Sequence, residues 1–481
     1  MQLQYPPLTL SRTSMLSSAA LLGFAIILVL FPHWTVDDAY ITLRYAQNLA
    51  NHGQLTWNLG MFPVEGYTGI VWPLLAAGAM WAHLPPVLVL NLVGLLSALA
   101  MVELVERVLV TLGTDESRRL LARLILVGGG WWAMHAGSGL ETTLYTALCV
   151  ASVLAWLQHR PWTPLLCLLT ALTRPEGVLL AVVLAAADAW RMRERPGLWR
   201  LVGAWLGGFV LPGALYFAWR WSYYGQLLPN PFYVKSASGV TSWLHVANFI
   251  VTTVLFPLLA WRASRPTLVR LHPQRVLVSG LGGMLAVLLV FYGQSELLMN
   301  YGNRFFMPLL PIIIVGLAAT WGELRWSKWL VCYGLLSGVF TIGAAVNAYN
   351  YALMMQSEHA AAAAWISEHV PADQTLAVIV DAGLVPYETG MRTVDVGALN
   401  DPVLAHEQDA QARADYVLNQ EPAVVLLATG ELGIVAAEAT RTALLADPRW
   451  QANYYLAQEF RRLHSFEYHQ QVWVRDGTSL R

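Results

Sequence analysis

The chain has 481 residues, of which 56% are hydrophobic and only 12% charged, and its mean hydropathy is +0.48. A soluble globular protein carries roughly 25% charged residues, so the composition excludes a soluble enzyme and predicts a polytopic membrane protein. The formal net charge of −1 and pI near 6.9 leave no basic footprint, which excludes a nucleic-acid partner. Cys149, Cys167 and Cys332 all lie in apolar runs, where they read as packing residues and not as disulfides or a metal cluster.

A spanning helix needs about 20 apolar residues. Taken in order, the runs are 15–32, 87–110, 121–136, 142–158, 162–174, 177–190, 200–222, 243–261, 276–296, 305–321 and 328–349. The first resembles the apolar part of a signal segment but is long and lacks a small-residue cleavage site, so a retained helix is expected. The runs 162–174 and 177–190 are interrupted by Arg174-Pro175-Glu176-Gly177, where Pro and Gly predict a break. Residues 69–84 are apolar but only about 16 long, short of a usual span. Charge decides their reading. Arg-rich connections at 107–123, 191–200, 262–275 and 325–328 all fall on the cytoplasmic side only if 69–84 lies along the membrane surface. The expectation is therefore about eleven spans, an inner N-terminus, an outer C-terminus, and an interfacial helix anchored by Trp72 and Trp81.

After Tyr349 the pattern changes to short strands among polar helices. Strands are expected at 376–380, 424–427 and 471–474, and helices at 359–369, 401–418 and 432–445. This divides the chain into a membrane module, 1–349, and a small extracytoplasmic α/β domain, 350–481.

The polar residues on the outer side are few. Asp37 and Asp38 follow the first apolar run and open a helix lacking Gly and Pro over 39–51, so either carboxylate reads as a helix cap or as a general base. Asp37, Ile41, Arg44 and Asn48 would share one helical face, which places a cation and an amide on the side of that carboxylate. Arg174, Lys235 and Arg304 are the outer cations expected to face a cavity and meet an anion. Arg220 reads instead as a side chain reaching for the headgroups. Glu65, Glu141 and Glu176 accompany these cations, with ion pairing from Arg174 to Glu141 or Glu176 as the plainer alternative. The tyrosines read first as interface aromatics. His33, His52, His83 and His135 show no metal-ligand spacing, so no catalytic metal or other cofactor is expected.

These pieces resemble a family. Asp37-Asp38-Ala39-Tyr40-Ile41 with Arg44-Tyr45-Ala46, Glu65-Gly66-Tyr67-Thr68, Gly139-Leu140-Glu141-Thr142, Thr173-Arg174-Pro175-Glu176-Gly177, Pro229 to Lys235 and Asp381-Ala382-Gly383 are similar to segments of the membrane-embedded GT-C glycosyltransferases. The nearest resemblance is to bacterial polyprenyl-phosphate arabinofuranosyltransferases that add terminal β-arabinofuranose. Asn230-Pro231 departs from the Asn-Thr that relatives carry there. The resemblance implies a GT-C fold with surface helices in the first outer loop and an active site on the periplasmic face of the bacterial inner membrane. It also implies a polyprenyl-phosphate sugar donor, a glycan or protein acceptor, and inversion at the anomeric carbon. Asp37 or Asp38 would be the base. Arg44, Glu65, Tyr67, Glu141, Arg174, Glu176, Tyr233, Lys235 and Arg304 would hold donor phosphate and sugar. A mannose-type hexose transferase is the alternative enzyme, and a lipid or sugar flippase the alternative outside enzymes.

Overall fold

The structure, a computed structural model, describes residues 12–31, 34–193, 197–234, 240–266, 275–297, 299–322, 327–430, 434–461 and 468–481. Lys235, His33 and the loop residues Arg195, Arg270 and Arg325 lie outside them. The side chain of Cys332 is likewise not described, whereas Cys149 and Cys167 are free and buried.

The chain opens with α1 (Arg12–Leu30), α2 (Asp37–His52), α3 (Val71–Trp81) and α4 (Pro86–Thr111). It continues through α5 (Glu116–Gly128), α6 (Trp131–Ala136), α7 (Thr142–Leu157), α8 (Thr163–Thr173) and α9 (Gly177–Met192). Gly129 separates α5 from α6, so the expected span 121–136 is two helices, and Arg174 to Glu176 divides α8 from α9 as Pro and Gly predict. Longer helices follow at Leu198–Tyr224, Ser242–Ala263, Arg275–Gly293 and Tyr301–Thr320. With Pro86–Thr111, these are the five helices among the described residues that are long and apolar enough to cross a membrane. Met15–Leu30, Thr142–Leu157 and Thr163–Thr173 are apolar but shorter, so length and composition do not establish eleven crossings.

The expected lipid anchors divide. Trp81 is largely exposed and donates to the Ala50 carbonyl at 3.2 Å. Trp72 is instead buried between α2 and α4 and donates to the Gly139 carbonyl at 2.8 Å. Its indole N–H needs a partner once buried, and the 137–141 loop supplies one.

The helix Ser327–Met354 runs past position 350 through a π-helical stretch, Met355–Ala360, into Ala361–His369. Five strands form the C-terminal sheet: β1 (Thr375–Ile379), β2 (Arg392–Asp395), β3 (Val424–Ala428), β4 (Tyr454–Phe460) and β5 (Gln470–Arg475), in the order β2-β1-β3-β5-β4. β1 is parallel to β2 and β3, while β5 is antiparallel to β3 and β4. β1 and β3 read as near-continuous apolar runs because both faces are covered. β2 and β4 escape the sequence reading for different reasons. β2 has four residues, and β4 is an edge strand whose Tyr455, Gln458 and Glu459 face solvent. The helix expected over 401–418 begins only at Ala410, where Asp409 accepts the Ala412 N–H at 2.7 Å as its cap.

One apolar core joins α2 and the segment that follows it to this sheet. Ile41, Tyr45, Trp57 and Tyr67 pack with Ile366, Leu376, Val378, Val385, Leu426 and Val474. The sheet is thereby seated on α2, beside the cavity described next.

Candidate active site

A cavity of about 220 Å³ opens between α2, the 66–72 segment, the start of α7, the α8–α9 junction and the C-terminal end of Arg275–Gly293. Its polar lining includes Asp38, Thr42, Glu141, Arg174, Glu176, Ser295, Glu296 and Arg304, set against Tyr67, Trp72, Phe232, Tyr292 and Phe305. Convergent charged groups in an apolar concavity are what a ligand site requires.

Asp37 and Asp38 part company in the first turn of α2. Successive helical residues point about 100° apart, so only one of the two faces the cavity. That residue is Asp38, together with Ile41 and Thr42. Asp37 is buried and turns to the C-terminal domain, where Oδ2 accepts the Gly383 N–H at 2.7 Å and Oδ1 accepts the Leu384 N–H at 2.8 Å. It does cap a helix, but a distant one, Leu384–Thr389, while the residue before α2, Val36, supplies no side-chain cap. Burial pushes the Asp37 carboxyl up to about 7, against the pull of nearby His359 and the Leu384 N–H. Of the two carboxylates, Asp38 is the one that lines the cavity.

Arg44 is not in the cavity, contrary to expectation. Its guanidinium donates to the carbonyls of Trp57 at 2.9 Å, Met391 at 2.7 Å and Pro386, and to Asn58 Oδ1 at 3.1 Å, while lying 4.4 Å from the Trp57 ring centroid. Asn48 likewise donates to Thr56 and Trp57 carbonyls. The Asp37–Arg44–Asn48 face therefore fastens α2 to the loop and the sheet; the cavity belongs to the face carrying Asp38 and Thr42.

Glu65 is also turned away. Its Oε2 accepts from Arg220 Nε at 2.6 Å, both side chains being buried, and Arg220 further donates to the carbonyls of Gln226 and Leu227. Arg220 is therefore a buried ion-pair partner and not a headgroup contact. Burial pushes the Glu65 carboxyl up to about 7, with Arg220 as the opposing influence. Tyr67 does line the cavity, and its hydroxyl shares a 3.0 Å hydrogen bond with Tyr224. Tyr233 packs against His406 of the C-terminal domain, ring centroids 4.5 Å apart, and is not a lining residue; its neighbours Pro231 and Phe232 are.

The remaining four expectations converge. Arg174 donates to Glu176 at 2.7 Å, and both Arg174 and Arg304 approach Glu141 Oε1, at 3.4 and 3.2 Å. The two guanidiniums also lie 5.2 and 5.3 Å from the Phe305 ring centroid. The Tyr292 hydroxyl donates to Glu176 Oε1 at 3.0 Å. Pairing and cavity lining are thus not alternatives for Arg174, which does both. Glu141 and Arg174 reach one another because each sits in a break just ahead of a helix, α7 and α9. Among the described residues no group of three His, Cys, Asp or Glu side chains is arranged to hold a metal ion.

Thr42, Tyr292, Ser295, Glu296 and Phe305 were not singled out from the sequence. Thr42 lies one turn after Asp38 and was legible from helical spacing. Ser295 and Glu296 closed an apolar run and were absorbed into the expected span 276–296.

Comparison with known proteins gives a fold and little more. A family model described as Domain of unknown function (DUF8728) matches residues 347–475. No curated protein sequence matches. Among solved structures, ArnT from Cupriavidus metallidurans bound to undecaprenyl phosphate superposes with a TM-score of 0.56 at 13% identity, covering 95% of this chain and 97% of that one. The apo state of the same protein gives 0.56 at 14% identity, with the same coverage. The chain shares the ArnT fold.

Proposed function

We propose that this chain is a membrane-embedded GT-C glycosyltransferase that transfers a sugar from a polyprenyl-phosphate donor to a hydroxyl acceptor outside the cytoplasmic membrane. The observation that carries the reading is one cavity holding a carboxylate, Asp38, and a pair of guanidiniums, Arg174 and Arg304. The fold shared with ArnT, one structure of which holds undecaprenyl phosphate, supports a lipid-phosphate partner. In this reading Asp38 takes the acceptor hydroxyl proton, and the acceptor oxygen attacks the anomeric carbon. The bond from that carbon to the phosphate oxygen breaks, polyprenyl phosphate leaves, and the configuration inverts. Arg174 and Arg304 stabilise the leaving phosphate, exchanging their longer contacts with Glu141 for phosphate oxygens. Arg174 keeps the tighter Glu176 contact, which orients it. Glu296 and Thr42 are placed to meet sugar or acceptor hydroxyls.

Arabinofuranose is the proposed sugar, on the resemblance of Glu65-Gly66-Tyr67-Thr68 and Arg174-Pro175-Glu176-Gly177. Incubating the purified protein with a panel of labelled polyprenyl-phosphate pentoses and hexoses tests it. Release of polyprenyl phosphate from the arabinofuranosyl donor is expected, with turnover about 10²-fold or more lower in Asp38→Asn. Consumption of a hexose donor alone would replace the sugar assignment, and full turnover by Asp38→Asn would remove the base.

A further inference from the structure

The transfer step makes no use of a second buried cluster, built around Asp37 at the seam between α2 and the C-terminal sheet. Both Asp37 carboxylate oxygens receive backbone N–H groups of that domain, and its own N–H donates to the Tyr351 hydroxyl at 3.0 Å. Gly383 makes this approach possible, because a Cβ at 383 would overlap the Asp37 carbonyl oxygen. The 380–383 loop is held from its other side. Asp381 Oδ2 lies 3.4 Å from His359 Nε2 and accepts from Tyr468 and Gln470 side chains. Val380, just before it, has φ +86°, a conformation β-branched residues adopt only under constraint. Strain of this kind persists where surrounding contacts over-determine the backbone, and such places cluster at functional sites.

Helix ends fray unless held, and the residue before α2, Val36, supplies no side-chain cap. Its first turn is nevertheless where Asp38 must be aimed. We propose that Asp37 is a positioning residue, through which the 380–384 loop of the C-terminal domain sets the direction of the Asp38 carboxylate in the cavity. The inference rests on the reading of Asp38 as the base. It gives the 380–384 loop, none of whose residues lines the cavity, a role in the chemical step. Displacing a base by about 1 Å costs roughly 10²-fold in rate while leaving donor binding largely intact, so the loss should fall on kcat.

The test uses the full-length protein and compares Asp37→Asn, Gly383→Ala, Tyr351→Phe and Asp38→Asn. The probe is labelled polyprenyl-phosphoryl arabinofuranose, or whichever donor of the panel turns over. Amide hydrogen exchange is followed in residues 36–45 and 380–390. Asp37→Asn and Gly383→Ala are expected to lower kcat about 10- to 100-fold with donor KM within about twofold, and to speed exchange in the first turn of α2. Tyr351→Phe should do the same more weakly, and carries the test with Asp37→Asn if Gly383→Ala does not fold. Faster exchange with unchanged kcat would overturn the proposal, and so would unchanged exchange, or a raised KM at constant kcat. Asp38→Asn separates the two readings. If it stays active, the base assignment falls, while the exchange data still decide whether Asp37 orders the helix.

Discussion

Asp37 and Asp38 are neighbours with one chemistry and two environments. Asp37 gives both oxygens to N–H groups of the C-terminal domain, whereas Asp38 lines the cavity. His359 shows how strongly this buried seam acts on ionisation. Burial opposes its charge, but the facing carboxylates of Asp381, Asp37 and Glu358 outweigh burial and raise it to about 9. Asp381 is held below the ordinary carboxylate range by His359 and by the Tyr468 and Gln470 hydrogen bonds, despite its own burial. The folded chain therefore binds the His359 proton more tightly than the unfolded chain, whose histidine titrates near 6.5. This stabilisation, on the order of 3 kcal/mol, is complete below pH about 6.5 and lost as pH rises through about 9. Thermal unfolding from pH 6 to 10 should show a falling midpoint that His359→Gln flattens. An identical slope in the variant would mean that His359 does not carry the effect.

At the scale of elements, the cavity is built where helices stop. Glu141 precedes α7, Arg174 and Glu176 sit in the α8–α9 break, and Arg304 lies between two 3₁₀ turns, Tyr301–Asn303 and Met307–Leu309. Charged side chains at such junctions reach the outer edge of a helical bundle without crossing its apolar interior. Gly69 closes one wall against this break, because a Cβ there would overlap the Thr173 carbonyl oxygen one residue before Arg174. Gly69→Ala is therefore expected to push the 66–72 segment off α8 and widen the site. Donor KM should rise about tenfold, a cost near 1.4 kcal/mol, with the fold retained by circular dichroism. An unchanged KM would show that the wall does not contact the donor. The Arg-Pro-Glu-Gly break was legible in the sequence, since Pro and Gly mark it, and Glu-Gly-Tyr-Thr stood out only by resemblance. Their contact across about 100 positions was not, because nothing local encodes it.

At the scale of the molecule, the helical part and the C-terminal sheet are joined by packing as well as by the chain. They share an apolar core in which Trp57 and Tyr67 of the first loop pack with Val378, Val385 and Leu426. Arg44, Asn58 and Asn230 add polar ties to carbonyls at Met391, Thr393 and Ala398. A chain ending at residue 349 would expose this core and leave the buried Arg44 guanidinium without the Pro386 and Met391 carbonyls. Loss of several such contacts at about 1–3 kcal/mol each is comparable with ordinary domain stability of about 5–15 kcal/mol. The truncated chain is expected to aggregate on detergent extraction, which size-exclusion chromatography reads directly. A monodisperse peak with native helix content would refute the shared core.

Composition and the period of apolar runs were enough to establish the class, a helical bundle with a small α/β domain. Burial against lipid or against a sheet writes itself into every position of a helix or strand, so that information is distributed along the chain. The same reading named Asp38, Glu141, Arg174, Glu176 and Arg304, because charges are scarce in such a background. It could not say which face of α2 looks into the cavity. It gave Asp37 and Arg44 to the chemistry, whereas both bond to backbone groups after residue 380, and it left Arg220 to the headgroups, whereas Arg220 pairs with Glu65. Partners for Asp37 lie 346 and 347 positions away, and that for Arg220 lies 155 away. The role of a carboxylate depends on what folds against it, and only the assembled chain brings those groups together.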